Sequence, residues 1–270
     1  MKIVSFNVNG IRARLHQLLE LVARHQPDII GLQETKVPDA DFPLAALQEL
    51  GYRVEYYGQK SHYGVALMSR TEPLEVQKGF PDDGDGEQRR LIAAAYGLAA
   101  GGKLWVVNGY FPQGESRSHP QKFPAKELFY AKLYDYLQRC FKPDDRLVVL
   151  GDFNVAPEDL DVGIGADSAR RWLRSGKCSF LPEERQWFIC YATGACRYLP
   201  LVRILPIRRS VQLVRLSQPI RAHLKRACVS IALASHALAG RCTGAGIDYR
   251  IRAMERPSDH CLGGPSLIWQ

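Results

Sequence analysis

Short apolar runs and amphipathic segments alternate along the first 150 residues. Runs typical of β-strands cover residues 3–8, 28–33, 52–57, 63–69, 74–78, 91–97, 104–110 and 146–150. Helical spacing of apolar residues appears over 11–22, 43–50 and 121–141. Some strands follow one another directly and others are joined through a helix. This pattern predicts an α/β fold with two packed mixed sheets inside and helices outside. No repeat or low-complexity linker interrupts residues 1–270, so we predict a single domain.

Composition places the chain among globular proteins, with 46% hydrophobic and 24% charged residues. The first residues, MKIVSFNVNG, contain no long apolar segment, and the longest uncharged apolar stretch, residues 227–240, is too short to span a bilayer. We therefore expect a cytoplasmic protein with no membrane partner. Seven cysteines form no C-x-x-C pair, which favours reduced thiols over a zinc or redox site.

The positive charge of the chain comes from one window. The formal net charge is +8, yet residues 185–247 contain ten Lys or Arg and no Asp or Glu. Outside this window acidic residues are in slight excess, so the net charge is not evidence for nucleic-acid binding. A basic membrane-binding helix is also disfavoured there, because Pro206 and Pro219 interrupt the segment and no steady apolar face exists.

Polar side chains follow four of the predicted strands. Asn7, Glu34, Asn108 with Tyr110, and Asp152 with Asn154 stand at or just after strand ends. Strand ends at one edge of a sheet converge, so these groups are expected to share a pocket. Oxygen ligands without Cys or paired His favour Mg²⁺ or Mn²⁺.

The segment 258–260 adds Ser, Asp259 and His260 near the C-terminus. An imidazole is suited to act as a general base near neutral pH. Together with the oxygen cluster, it favours hydrolysis by a metal-held, base-activated water. We expect Asp259 and His260 in the same pocket as the strand-end residues, with the carboxylates of Glu34 and Asp259 within about 10 Å, because ligands of one ion lie close together.

Five blocks resemble the exonuclease III family of AP endonucleases: SFNVNGIR, LQETK, NGYFPQGE, GDFNVAP and residues 258–260. The resemblance implies the deoxyribonuclease I-like, four-layered α/β sandwich of the endonuclease/exonuclease/phosphatase superfamily. It implies an enzyme that hydrolyses phosphodiesters of double-stranded DNA 5′ to abasic sites and removes nucleotides from 3′ ends. It also implies a magnesium site at Glu34, with Asn7, Asp152, Asn154 and Asp259 completing or adjoining it. The expected catalytic residues are Tyr110, Asp152, Asn154 and His260, and we expect a monomer.

Two segments depart from the family pattern, residues 189–230 and 262–270. The first lacks the aromatic-rich stretch and the R-I-D-x-x-L motif that such proteins carry, and Ser230 stands where the motif has Asp. The second lacks the expected closing strand. We interpret both as reading-frame shifts, with a divergent insertion as the alternative. Residues 189–230 are then expected to be irregular with exposed apolar side chains, and activity is expected to be impaired.

Two other functions remain open from the sequence. One is a superfamily phosphatase acting on inositol phosphates or lipid headgroups, which the GDFN and YFPQGE blocks disfavour. The other is a catalytically inactive DNA-binding chain, which Ser230 and the missing aromatic residues favour. Turnover on abasic DNA separates these readings from a nuclease.

Overall fold

The computed structural model describes residues 1–192, 201–203, 230–256, 258 and 267–269. Its strands form two sheets. The first has the order β11-β12-β1-β2-β4-β3 and the second β5-β6-β7-β8-β10-β9. The strands are β1 (Lys2–Asn7), β2 (Ile29–Gln33), β3 (Arg53–Tyr57), β4 (Val65–Ser69), β5 (Glu75–Lys78), β6 (Leu91–Gly97), β7 (Lys103–Tyr110), β8 (Arg146–Asp152), β9 (Leu201–Arg203), β10 (Ser230–Ser235), β11 (Cys242–Gly244) and β12 (Leu267–Trp269).

Helices cover the outer faces of both sheets. They are α1 (Leu15–His25), α2 (Leu44–Gln48), α3 (Lys122–Cys140), α4 (Ala166–Arg174), α5 (Pro182–Ala192), α6 (His236–Ala239) and α7 (Tyr249–Arg252). The α/β sandwich and the elements predicted in the first 150 residues are confirmed, with boundaries shifted by at most a few residues. In the part of the chain that the structure describes, no helix combines the length and apolarity needed to cross a bilayer.

Three apolar layers follow from the alternation of side chains along the strands. Ile3 of β1 faces the second sheet, whereas its neighbour Val4 faces α1. The layer between the sheets is built from Ile, Leu, Val and Ala of the central strands. The third layer packs the second sheet against α3, whose buried face includes Phe129, Leu133 and Leu137. Helices, two sheets and helices therefore form four layers.

Parallel pairing at the centre of each sheet places the predicted site residues at one edge. β1 pairs in parallel with β2, and β7 pairs in parallel with β8. The two sheets approach closely at Gly31, where a Cβ atom would lie 2.4 Å from Cδ1 of Leu150. A side chain at position 31 would therefore require the side chains of Leu150 and Asn108 to move.

Two expectations about the departing segments need correction. The closing strand was expected to be missing, but β12 pairs antiparallel with both β1 and β11. Its Leu-Ile-Trp sequence has the apolar, β-prone character that an inner strand requires. Within the segment 189–230, residues 189–192 are helical and Leu201 lies buried in β9, which pairs with β10. The expected irregularity is therefore wrong at those positions, and residues 193–200 and 204–229 lie outside the described residues.

Candidate active site

Asn7 links two buried carboxylates at the edge of the sandwich. Its Nδ2 donates to Oε1 of Glu34 at 2.8 Å and to Oδ2 of Asp152 at 2.9 Å. Asn7 ends β1, Glu34 follows β2, and Asp152 ends β8, so both sheets contribute. Asp152 is fully buried and Glu34 is 7% exposed. The carboxylates are thus fixed by the rigid ends of three strands rather than by mobile loops.

Lys36 partly neutralises this acidic pair. Its Nζ lies 2.8 Å from Oε2 of Glu34 and also donates to the side chain of Asn9. The backbone N–H of Asn9 in turn donates to Oδ1 of Asn7 at 3.0 Å. Glu34 therefore has one oxygen on the Asn7 amide and one on the Lys36 ammonium.

Tyr110 presents a neutral phenol to the same carboxylates. Burial raises the pKa of Tyr110 well above its ordinary value, and the negative charges of Glu34 and Asp152 raise it further. The phenol also makes a hydrogen bond with Glu34. The raised pKa favours the neutral, protonated form of the Tyr110 phenol.

Arg90 fixes the position of Tyr110. The guanidinium lies between the rings of Tyr63 and Tyr110, 4.3 Å and 4.8 Å from their centroids. Nη1 of Arg90 donates to the carbonyl of Tyr110 at 3.0 Å, and the N–H of Tyr110 donates to the carbonyl of Arg90 at 2.7 Å. Burial lowers the pKa of Arg90, with Tyr110 and Tyr63 opposing that shift.

Asn154 lies in the turn that follows β8. Its backbone N–H donates to Oδ1 of Asp152 at 3.1 Å, and its Nδ2 donates to the carbonyl of Phe111 at 2.9 Å. One N–H of the amide is thus occupied, and no other hydrogen bond of this amide is found among the described residues. These two bonds hold the amide beside Asp152.

Left-handed backbone conformations cluster in this region. Asn9, Glu34, Lys36 and Asn154 have φ values of 43°, 54°, 58° and 53° although none is glycine. Each such residue costs on the order of 1 kcal/mol and persists only where the surroundings enforce it. Strain stored at a set of polar strand-end residues is typical of functional sites.

The oxygen-rich donor set fits a hard divalent cation. Within the described residues no group of three or more His, Cys, Asp or Glu side chains is arranged around one ion position. Among the described residues, a cation at this position would contact the carboxylates of Glu34 and Asp152 together with neutral oxygens. Carboxylate and amide oxygens without sulfur or paired imidazole suit Mg²⁺ or Mn²⁺ better than zinc.

The structure brings together five of the seven residues predicted for the site: Asn7, Glu34, Tyr110, Asp152 and Asn154. Asp259 and His260 lie outside the described residues, so their expected proximity to Glu34 stays a prediction. The preceding residue, Ser258, is buried, and its Oγ donates to the carbonyl of Asn7 at 2.7 Å. Asn108, another polar strand-end residue, contacts the first sheet instead and is not part of the cluster.

Three contributing residues escaped the sequence analysis: Asn9, Lys36 and Arg90. The SFNVNGIR and LQETK blocks contain the first two, so proximity in sequence to Asn7 and Glu34 was an available signal. Arg90 precedes a strand instead of following one. A search restricted to the carboxyl ends of strands therefore passes over it.

Comparison with known proteins gives concordant matches over nearly the whole chain. Residues 4–260 match the Endonuclease/Exonuclease/phosphatase family. The chain is 46% identical over 261 residues to the exodeoxyribonuclease III of Haemophilus influenzae, which covers 96% of this chain and 97% of that protein. A similar solved structure is an AP endonuclease from Archaeoglobus fulgidus (TM-score 0.78, 31% identity, 97% of this chain and 96% of that chain). Another is a 3′-5′ exonuclease from Neisseria meningitidis (TM-score 0.76, 33% identity, 97% of each chain).

Proposed function

The chain belongs to the Endonuclease/Exonuclease/phosphatase family, as a DNA repair nuclease of the exodeoxyribonuclease III type, and we propose that it cuts double-stranded DNA 5′ to abasic sites and shortens 3′ ends. The observation that carries this proposal is the pair of carboxylates, Glu34 and Asp152, joined through the Asn7 amide. Such a pair supplies both an ion-binding and a proton-accepting oxygen beside neutral donors, which is what phosphodiester hydrolysis requires.

Exonuclease III enzymes generally depend on a metal ion, and we assign Mg²⁺ to this chain. Glu34 and Asp152 would hold it, with Asn7, Asn154 and Asp259 completing or adjoining the site. When bound, the ion polarises the phosphate and lowers the pKa of a coordinated water. The Lys36 ammonium beside Glu34 limits the negative charge that the site carries in the absence of a cation.

Asp152 is suited to handle a proton of the attacking water or the leaving group. Its Oδ2 accepts from Asn7 and its Oδ1 from the N–H of Asn154, so the carboxylate is oriented on both oxygens. A fixed carboxylate needs no reorganisation when charge develops during the reaction.

Tyr110 and Asn154 would donate hydrogen bonds to the phosphate. The raised pKa of Tyr110 favours its neutral O–H form, and the Asn154 amide keeps an N–H that no described residue accepts. Donors directed at the oxygens on which negative charge accumulates lower the barrier to cleavage.

His260 completes the proposed chemistry as a base or a charge-stabilising donor, with Asp259 adjoining the metal. Support comes from Ser258, which anchors this segment to the Asn7 carbonyl. Ser230, which stands where the family pattern has the Asp that orients the His, pairs through its backbone with Asp152. We propose that a hydroxyl in place of a carboxylate leaves the chain impaired, and that it acts as a single-domain monomer.

Cleavage of defined DNA duplexes tests the proposal. We expect the purified chain with Mg²⁺ to incise a duplex containing a tetrahydrofuran abasic analogue on its 5′ side and to shorten a recessed 3′ end. Glu34→Gln and Asp152→Asn should abolish both reactions while leaving the thermal midpoint close to that of the parent, and excess EDTA should do the same to the parent chain. Cleavage rates with Mn²⁺ or Ca²⁺ in place of Mg²⁺ show which ion supports the reaction.

A parallel assay with inositol phosphates addresses the phosphatase alternative. Release of inorganic phosphate from these substrates without DNA cleavage would overturn the nuclease assignment. DNA binding without any turnover would instead indicate the catalytically inactive chain.

A further inference from the structure

Lys126 of α3 and Glu184 of α5 form an ion pair without any exposure to solvent. Nζ of Lys126 lies 2.5 Å from Oε1 of Glu184, and both side chains are 0% exposed. Burying two charges removes their hydration, so a buried pair of this kind is weak evidence for stability by itself. Its other hydrogen bonds indicate what the pair does.

Each member of the pair also binds backbone groups. Nζ of Lys126 donates to the carbonyl of Asn154 at 2.8 Å and to that of Gln113 at 3.3 Å. Oε2 of Glu184 accepts from the N–H groups of Ser179 and Leu181, both at 2.8 Å. The pair therefore joins the segments that follow β7 and β8 to the segment that precedes α5.

The carbonyl held by Lys126 belongs to a strained residue. Asn154 has a φ of 53°, which L side chains rarely adopt. The Lys126 bond at its carbonyl supplements the bonds that its N–H and amide make with Asp152 and Phe111. The preceding carbonyl, of Phe153, accepts from the hydroxyl of Tyr130, one helical turn along from Lys126. α3 thus fixes two consecutive peptide units next to Asp152.

We propose that Lys126 is a positioning residue for Asn154, and that Glu184 orients the Lys126 side chain beneath the turn. The inference rests on the proposed function for the role of Asn154 as a donor to the phosphate. The ammonium does not touch DNA or the reacting atoms. It holds the backbone conformation in which the Asn154 amide lies beside Asp152, so its loss should affect turnover more than substrate binding.

The deciding variant removes both charges at once. Lys126→Met alone leaves Glu184 buried without a counterion and is expected to unfold the chain in part. The double variant Lys126→Met/Glu184→Leu removes that penalty while still lacking a donor for the Asn154 carbonyl. We expect its kcat on abasic duplex to fall by about 10- to 100-fold, the loss of one charge-assisted hydrogen bond, with KM changed less than about threefold. Leu133→Ala, a core truncation on the same helix, should lower the thermal midpoint without changing kcat of the folded protein.

Hydrogen exchange at residues 153–156 provides a readout that needs no activity. Relative to the amides of β1 and β2, which report global unfolding, we expect this segment to exchange faster in the double variant and unchanged in Leu133→Ala. A folded double variant with parental kcat and parental exchange would overturn the inference. If the parent chain fails to cut DNA, the proposed function fails, and the exchange of residues 153–156 alone then decides whether Lys126 positions Asn154. If the double variant does not fold, exchange of residues 153–156 relative to the amides of β1 and β2 in Lys126→Met decides.

Discussion

Gln33 and Asn108 are hydrogen bonded across the interface between the two sheets, with Nε2 of Gln33 donating to Oδ1 of Asn108 at 2.6 Å. Both side chains are fully buried. Nδ2 of Asn108 also donates to the carbonyls of Leu32 and Ala66, each at 2.9 Å. β7 of the second sheet is thereby bound to β2 and β4 of the first. Because Glu34 follows Gln33 directly, this contact sets the distance between Glu34 and the residues of β7 and β8.

Asn108→Ala should destabilise the protein by about 2–4 kcal/mol. The substitution removes one acceptor of the Gln33 amide, which keeps those at Ser5 and Gly31, and it removes a donor from the two buried carbonyls. Each buried group left unsatisfied costs about 1–3 kcal/mol. Urea unfolding measures the loss. Leu128→Ala, at a position 57% exposed on α3, serves as the control and should change stability by less than about 0.5 kcal/mol. A loss below about 1 kcal/mol for Asn108→Ala would show that this contact does not hold the sheets together.

Asn7→Ala should lower kcat on abasic duplex by about 10- to 100-fold. The amide makes charge-assisted hydrogen bonds to both Glu34 and Asp152, and loss of such a bond costs about 1.5–3 kcal/mol. Single-turnover cleavage at saturating enzyme measures the effect. Ser5→Ala, on the same strand, removes a hydroxyl that bonds to Gln33 and should retain parental kcat within about threefold. Equal rates for Asn7→Ala and Ser5→Ala would contradict the role of Asn7.

Tyr110→Phe should lower kcat by about 10- to 100-fold and leave the alkaline limb of the pH profile unchanged up to about pH 10. Burial and the adjacent carboxylates raise the pKa of the phenol, so the neutral donor form persists as pH rises. The measurement is kcat between pH 6 and pH 10 for parent and variant. A decline of parental activity near pH 9 that disappears in Tyr110→Phe would show that the phenol ionises there.

Tyr96 should make the protein sensitive to alkaline unfolding. Burial raises the pKa of Tyr96 to about 12, against about 10 in the unfolded chain. Its contribution to stability is complete below pH 10 and decreases as pH rises toward 12, because the unfolded state releases the proton first. Between pH 9 and pH 12, the free energy of unfolding should fall by about 2 kcal/mol less in Tyr96→Phe than in the parent. Urea titrations at each pH measure both decreases. An equal decrease of the unfolding free energy with pH in both proteins would contradict the raised pKa of Tyr96.

Ser230→Asp should raise kcat by about tenfold or more. A carboxylate partner fixes the tautomer of a catalytic imidazole and stabilises its protonated form, and removing one in another hydrolase cost about 10⁴ in turnover. A serine supplies at best a weaker neutral hydrogen bond. Single-turnover cleavage with Mg²⁺ measures the gain. Leu74→Asp, an exposed position, controls for added negative charge. No gain in Ser230→Asp would mean that this position does not limit catalysis.

The sequence predicts the location of those polar residues whose position follows from their neighbours along the chain. Apolar alternation locates β1, β2, β7 and β8, and the polar residue at the end of each strand is part of the same local signal. Asn7, Glu34, Tyr110 and Asp152 could therefore be assigned to one edge without coordinates.

Contacts between distant segments could not be predicted in this way. Asn108 has the same strand-end signature as Asn7, and only the packing of the two sheets shows that its amide bonds to Leu32 and Ala66. Lys126 and Glu184 each read as ordinary polar positions of a helix, because nothing local in the sequence records that both are fully buried. The strand β12 was missed for a related reason, since three residues acquire strand structure only from their partners.

The position of β12 has a consequence for synthesis of the chain. β1, formed by residues 2–7, lies between β2 and β12, so one of its two partners is supplied by residues 267–269. At ribosomal rates of about 5–20 residues per second, that partner follows β2 by roughly 10–50 s. During this interval one edge of β1 presents unpaired N–H and C=O groups to any neighbouring chain. The β1 edge is therefore closed against pairing with other chains only after translation has supplied β12.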